Sequence, residues 1–96
     1  MAPTYQYVRF RAEVYKEEDL FVAACPDFDV SSFGTTVEEA KESLREAVEE
    51  FMKGCQDLGT LVGVLKEAGF RQQDDSWLAR EPMEQTMGQA KLVMVA

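Results

Sequence analysis

Apolar and polar residues alternate over residues 5–15, with Val8, Phe10, Ala12 and Val14 on one side and Arg9, Arg11, Glu13 and Tyr15 on the other. A period of two sends successive side chains to opposite faces of a strand, so this stretch predicts a half-buried β-strand. The polar cluster Lys16-Glu17-Glu18-Asp19 interrupts it. The apolar run Leu20-Phe21-Val22-Ala23-Ala24-Cys25 then predicts a central strand, joined to the first by a four-residue hairpin loop. Pro26-Asp27 ends the run, because proline has no N–H for the ladder and aspartate forms local turns. Val30-Ser31-Ser32-Phe33 predicts a third, shorter strand closed by Gly34.

Beyond Gly34 the period changes. Val37, Ala40, Leu44, Ala47, Val48, Phe51, Cys55 and Leu58 recur at spacings of three and four, which draws one apolar stripe along a helix. Thr36 followed by Glu39 predicts a capping box at its start, and Gly59 its end. Thr60 is placed to cap a second, short helix over residues 61–68, stopped by Gly69. The two helices should form a hairpin. Residues 71–76 are polar, Trp77-Leu78 reads as an apolar anchor, and Arg80-Glu81-Pro82 as a break. The last six residues, 91–96, are apolar and β-favouring, a hazard as a free edge, and predict a final strand paired with its own sheet or with a partner subunit. The order β-β-β-α-α-β predicts an α+β domain, with a small, mostly antiparallel sheet and both helices on one face.

Ninety-six residues suit one domain, and no segment is long enough to divide. A chain this short buries a modest share of its surface, so association with a second copy would help it. Ten Lys plus Arg stand against eighteen Asp plus Glu, a net charge of -8, which disfavours general affinity for phosphate backbones. The absence of histidine excludes mechanisms that need an imidazole as base, triad member or metal ligand. Cys25 and Cys55, with no CxxC pair, fit reduced thiols better than a zinc site or disulfide framework. Met1-Ala2-Pro3-Thr4 shows neither the basic nor the apolar segment of a leader, and no apolar run approaches a membrane span. A soluble cytoplasmic protein without membrane contact is the expectation.

Three stretches taken together carry a resemblance: Leu20-Phe21-Val22-Ala23-Ala24-Cys25-Pro26-Asp27-Phe28, then Phe33-Gly34-Thr35-Thr36-Val37-Glu38-Glu39-Ala40, then Ala47-Val48-Glu49-Glu50-Phe51. Thr60, Val64-Leu65-Lys66-Glu67-Ala68-Gly69-Phe70 and Trp77 extend it. Over residues 5–96 the chain resembles the HicB-like antitoxins of type II toxin-antitoxin systems, as a short member without an evident DNA-binding module. It departs from them where Phe28-Asp29-Val30 replaces the Pro-Gly usual after Cys-Pro-Asp. The resemblance implies a reduced ribonuclease H-like fold and a protein that inhibits a HicA-like toxin, a basic RNase cleaving messenger RNA, by stoichiometric occlusion of its active site. It points to Cys25, Pro26, Asp27, Phe28, Phe33 and Gly34 as the partner contact. A stand-alone oligomeric scaffold of the same fold, with no toxin partner, is the alternative.

Other chemistries fit the residues less well. Metal-dependent nucleases need converging carboxylates, yet Glu13, Asp27, Asp29, Glu38 and Glu39 follow no spacing that forces them together. Cys25 lacks a base and sits in an apolar strand, which argues against a nucleophile. The second helix brings Lys66 alone, with Arg71 beyond, too little for a DNA recognition helix. Arg9, Arg11 and Lys16 interleaved with Tyr5, Tyr7 and Tyr15 resemble a single-strand-binding face, but cross-strand pairing and a dimer contact explain them more simply. The expectations are therefore a non-enzymatic binder with no cofactor, no metal and no nucleic-acid contact. Leu92, Val93, Met94 and Val95 should form the edge of a homodimer or larger homo-oligomer.

Overall fold

Val8 and Val14 both turn inward, as the alternation predicts, yet they belong to different sheets. The computed structural model describes residues 4–95; the leader reading at Met1-Ala2-Pro3 and Ala96 of the expected last strand fall outside them. The predicted first strand is two, β1 (Tyr7–Arg9) and β2 (Glu13–Glu17), separated by residues 10–12, which join no ladder. After them come β3 (Leu20–Cys25), β4 (Val30–Gly34), α1 (Val37–Asp57), α2 (Leu61–Glu67), β5 (Arg71–Gln73) and β6 (Ser76–Leu78). One sheet has the order β2-β3-β4, the other β1-β6-β5. All pairings are antiparallel except β1 with β6, which run parallel with Val8 opposite Trp77. The fold is α+β as expected, with two small three-stranded sheets in place of one.

The β2–β3 loop is also tighter than its polar cluster suggests. Glu17 pairs with Leu20, leaving only Glu18-Asp19 in the turn, with Glu18 at a φ of 54°. Two-residue hairpins need such positive φ values because their twist then matches the strands. Asp74-Asp75 makes the corresponding turn between β5 and β6, with Asp74 at a φ of 55°.

α1 starts where the capping box places it. Thr36 Oγ1 accepts from the Glu39 N–H at 3.0 Å, but the Glu39 carboxylate takes its own bond from the Thr35 hydroxyl at 2.9 Å. The box is therefore closed through Thr35. At the other end Gly59, at a φ of 74°, and Thr60 send their N–H groups back to Gln56 and Cys55, a Schellman closure. Thr60 does not cap α2: its hydroxyl donates to the Cys55 carbonyl, finishing α1 instead. Gly34 lies under the helix start, where a Cβ would sit 2.6 Å from the Ala40 nitrogen, so glycine alone lets β4 pass so close.

The core lies between α1 and the sheets. Ala23 and Cys25 of β3 meet Ala40, Leu44 and Val48 of α1, while Leu65, Phe70 and Trp77 extend the cluster under α2 and β6. Phe28 reaches in from the loop after β3, stacking on Phe70 at 5.0 Å between ring centroids and meeting Phe51 at 5.4 Å. Trp77 Nε1 donates to Gln6 Oε1 at 3.1 Å, so the indole is buried with its polar atom satisfied. Leu58, at the end of the predicted stripe, is exposed, since the Schellman turn carries it away from the sheet.

Among the described residues the expected final strand does not form. Residues 91–95 form no ladder, and Leu92, Val93, Met94 and Val95 are 76–93% exposed. The last strand of the chain among the described residues is β6, which ends at Leu78 in the middle of its sheet, and no described strand lies beside residues 91–95. The chain is 67 Å in its longest extent and its radius of gyration is 16.9 Å, against about 12–13 Å for a compact chain of this length. Among the described residues no helix is long and apolar enough to cross a membrane.

Candidate partner-binding site

The turn after β3 divides the six candidate contact residues. The Phe28 N–H donates to the Cys25 carbonyl at 3.4 Å and the Asp29 N–H to Pro26 at 3.3 Å. Asp29 itself adopts a φ of 54°, which aspartate tolerates better than most residues. This winding turns Cys25 and Phe28 into the core, and Gly34 is shut under α1. The side chains of Cys25 and Phe28 and the α-carbon of Gly34 are therefore buried in the single chain. Pro26, Asp27 and Phe33 remain available.

Pro26 and Asp27 line a cavity of about 770 Å³ with Arg11, Ala12, Glu13, Arg80, Glu81, Pro82 and Gln85. The unpaired stretch between β1 and β2 supplies Arg11 and Ala12, and the chain leaving β6 supplies the last four. The Arg11 guanidinium donates to the Arg80 carbonyl, tying these two walls together. Asp27 is half-buried, and its Oδ2 is shielded from solvent without a hydrogen-bond partner. A shielded carboxylate oxygen left unpaired is costly, and a cationic donor would satisfy it. Sequence spacing could not single out this cavity, because Arg11 and Arg80 are 69 positions apart.

Phe33 belongs to a second surface. On the sheet face away from α1, Tyr15 pairs with Val22 and Val22 with Phe33, an apolar row across three strands. Tyr15 is 53% and Phe33 63% exposed, with Leu20 beside them. The interleaved basic and aromatic face is not assembled, since Lys16 falls on the opposite side of β2 from Tyr15 and Arg11 is held by Arg80.

Burial raises the Cys25 thiol above its ordinary pKa, with the Asp27 charge adding to the rise and backbone bonds from Phe28 and Asp27 opposing it. Cys25 is thus a protonated core thiol. Glu13 and Asp27 share the cavity, while Glu38 and Glu39 stand at the start of α1 and Asp29 in the turn. Among the described residues no three Cys, Asp or Glu side chains converge as a metal site requires. Along the outer face of α1, Arg45 bridges Glu42 and Glu49, lowering the Glu42 pKa, and Lys41 pairs with Glu38 at 3.2 Å. Compared with known protein families, curated proteins and solved structures, the chain matches none. Fold and site together define an α+β domain whose most distinctive polar group is an unsatisfied carboxylate.

Proposed function

We propose that this chain is a HicB-like antitoxin that binds a HicA-like toxin and blocks it by stoichiometric occlusion. The observation that carries the reading is Asp27, a half-buried acid that lines an open cavity and keeps one carboxylate oxygen unpartnered, where a guanidinium or ammonium group from a basic protein would pair with the side chain once the turn yields to it. The motif resemblance around Cys25-Pro26-Asp27 and Thr36-Val37-Glu38-Glu39-Ala40 supports it, and so does the net charge of -8, since complementary charge speeds encounter with a basic partner. In this reading the chain turns over no substrate and needs no cofactor, metal or nucleic-acid contact. It works in the cytoplasm beside its toxin.

The test is a search for a small basic reading frame adjacent to the gene and, where one is found, co-expression with it, followed by pull-down and growth rescue. A stable complex with rescue is expected, and Asp27→Asn should weaken it by about 30-fold or more, the scale for removing one member of a desolvated charge pair. Absence of a complex overturns the reading.

A second reading rests on the exposed Tyr15–Val22–Phe33 row and the exposed Leu92, Val93, Met94 and Val95: an orphan oligomeric scaffold of the same fold. It gains if no HicA-like frame lies beside the gene.

A further inference from the structure

Each edge strand presents one side with unpaired backbone groups, and folded chains usually guard such edges with charge, proline or bulges. β2 carries Glu13, Lys16 and Glu17, β1 carries Arg9 and β5 carries Arg71. β4, Val30-Ser31-Ser32-Phe33-Gly34, is the one edge among the described strands with no charged residue. The same chain holds a five-residue run with the complementary need. Residues 91–95 are Lys91 followed by the apolar run Leu92-Val93-Met94-Val95, and all five are exposed. They match the five residues of β4 in length.

The surface area shows how far the chain stands from a compact monomer. A compact monomer of 10.9 kDa exposes about 5,600 Å², whereas this chain exposes 8144 Å². The excess, about 2,500 Å², is ample for a standard interface, which takes about 800 Å² from each partner. Charge points to a second copy as occupant. Within a chain of net charge -8, residues 85–95 carry Lys91 and no acid, so this arm meets an acidic body without repulsion.

We propose that residues 91–95 form an exchanged arm, each copy's arm adding a strand along β4 of the other in a symmetric dimer. Main-chain hydrogen bonds supply the pairing, as in other strand additions. Added beside β4, the arm would lay alternate apolar side chains on the α1 side of the sheet and next to the exposed Phe33. The inference stands apart from the toxin reading, because it concerns one protein alone.

Sedimentation of the full chain, of a chain ending at Ala90 and of Ser31→Lys tests it, with backbone hydrogen exchange on each. Among the described residues all secondary structure ends at Leu78, so the shortened chain keeps every described element, and circular dichroism checks this. The full chain should have twice the monomer mass, with slowed exchange in β4 and in residues 92–95. Both variants should be monomeric with fast exchange along β4. A monomeric full chain overturns the proposal, whether its arm exchanges fast or is protected by pairing with its own β4. A dimer that survives loss of the arm or the added lysine overturns it too.

Discussion

Phe28 is read most easily as a contact residue and turns out to be a keystone. Its ring fills the space between Phe51 of α1 and Phe70 at the start of β5, so truncation empties the junction of the two halves. Phe28→Ala should lower stability by about 3–5 kcal/mol, read as a fall in the denaturation midpoint with an unchanged slope. Cys25 gives a second test. Cys25 is buried and Cys55 half-buried, so a thiol reagent under native conditions should label Cys55 first and Cys25 only on unfolding. Because burial raises the Cys25 pKa, the folded chain holds that proton more tightly than the unfolded one. The contribution to stability is complete below the ordinary thiol pKa and lost as pH rises through the folded value. Unfolding midpoints should therefore fall on the alkaline side, and Cys25→Ala should remove that part of the fall.

At the scale of elements, the long periodic pattern was legible and the short polar pieces were not. α1 carries its apolar stripe for 21 residues between a capping threonine and a terminal glycine, and each signal agrees with the others. β5 offered no such agreement. Its residues Arg71-Gln72-Gln73 are all exposed and hold their place only because Trp77 of β6 is buried against the core. The split between β1 and β2 was hidden for a related reason: alternation fixes which face a side chain takes, not which strand lies alongside. Of the candidate site, the Cys-Pro-Asp turn was visible, but its partition into buried Cys25 and Phe28 and open Pro26 and Asp27 depends on the turn's winding. Local strain remains in the β2–β3 turn, where Glu18 occupies the left-handed region without the tolerance of Asn or Gly. Glu18→Asn should raise stability by about 0.5–1 kcal/mol, seen as a higher melting temperature. An unchanged or lower value would contradict the strain assigned to that turn.

For the molecule as a whole, two features stand outside what a small folded body needs for itself. One is the arm beyond Pro82, ending in Leu92, Val93, Met94 and Val95 with no strand beside it. The other is the cavity around Asp27, walled by Arg11 from between β1 and β2 and by the chain that leaves β6. In the readings proposed above, the first would take a second copy of the chain and the second a basic partner. The ion pairs on the acidic outer face of α1 are exposed and screened, so they contribute little to stability, and in the proposed reading that face would serve encounter. Added salt should accordingly slow association with a basic protein while leaving the melting temperature nearly unchanged. The most direct measurement of the toxin-binding claim is titration of the purified chain, and of its Asp27→Asn variant, into the purified product of any small basic reading frame found beside the gene. Saturable binding at a fixed stoichiometry, weakened about 30-fold or more by Asp27→Asn with the fold intact, is the predicted result. No binding, or equal binding by both forms, would contradict it.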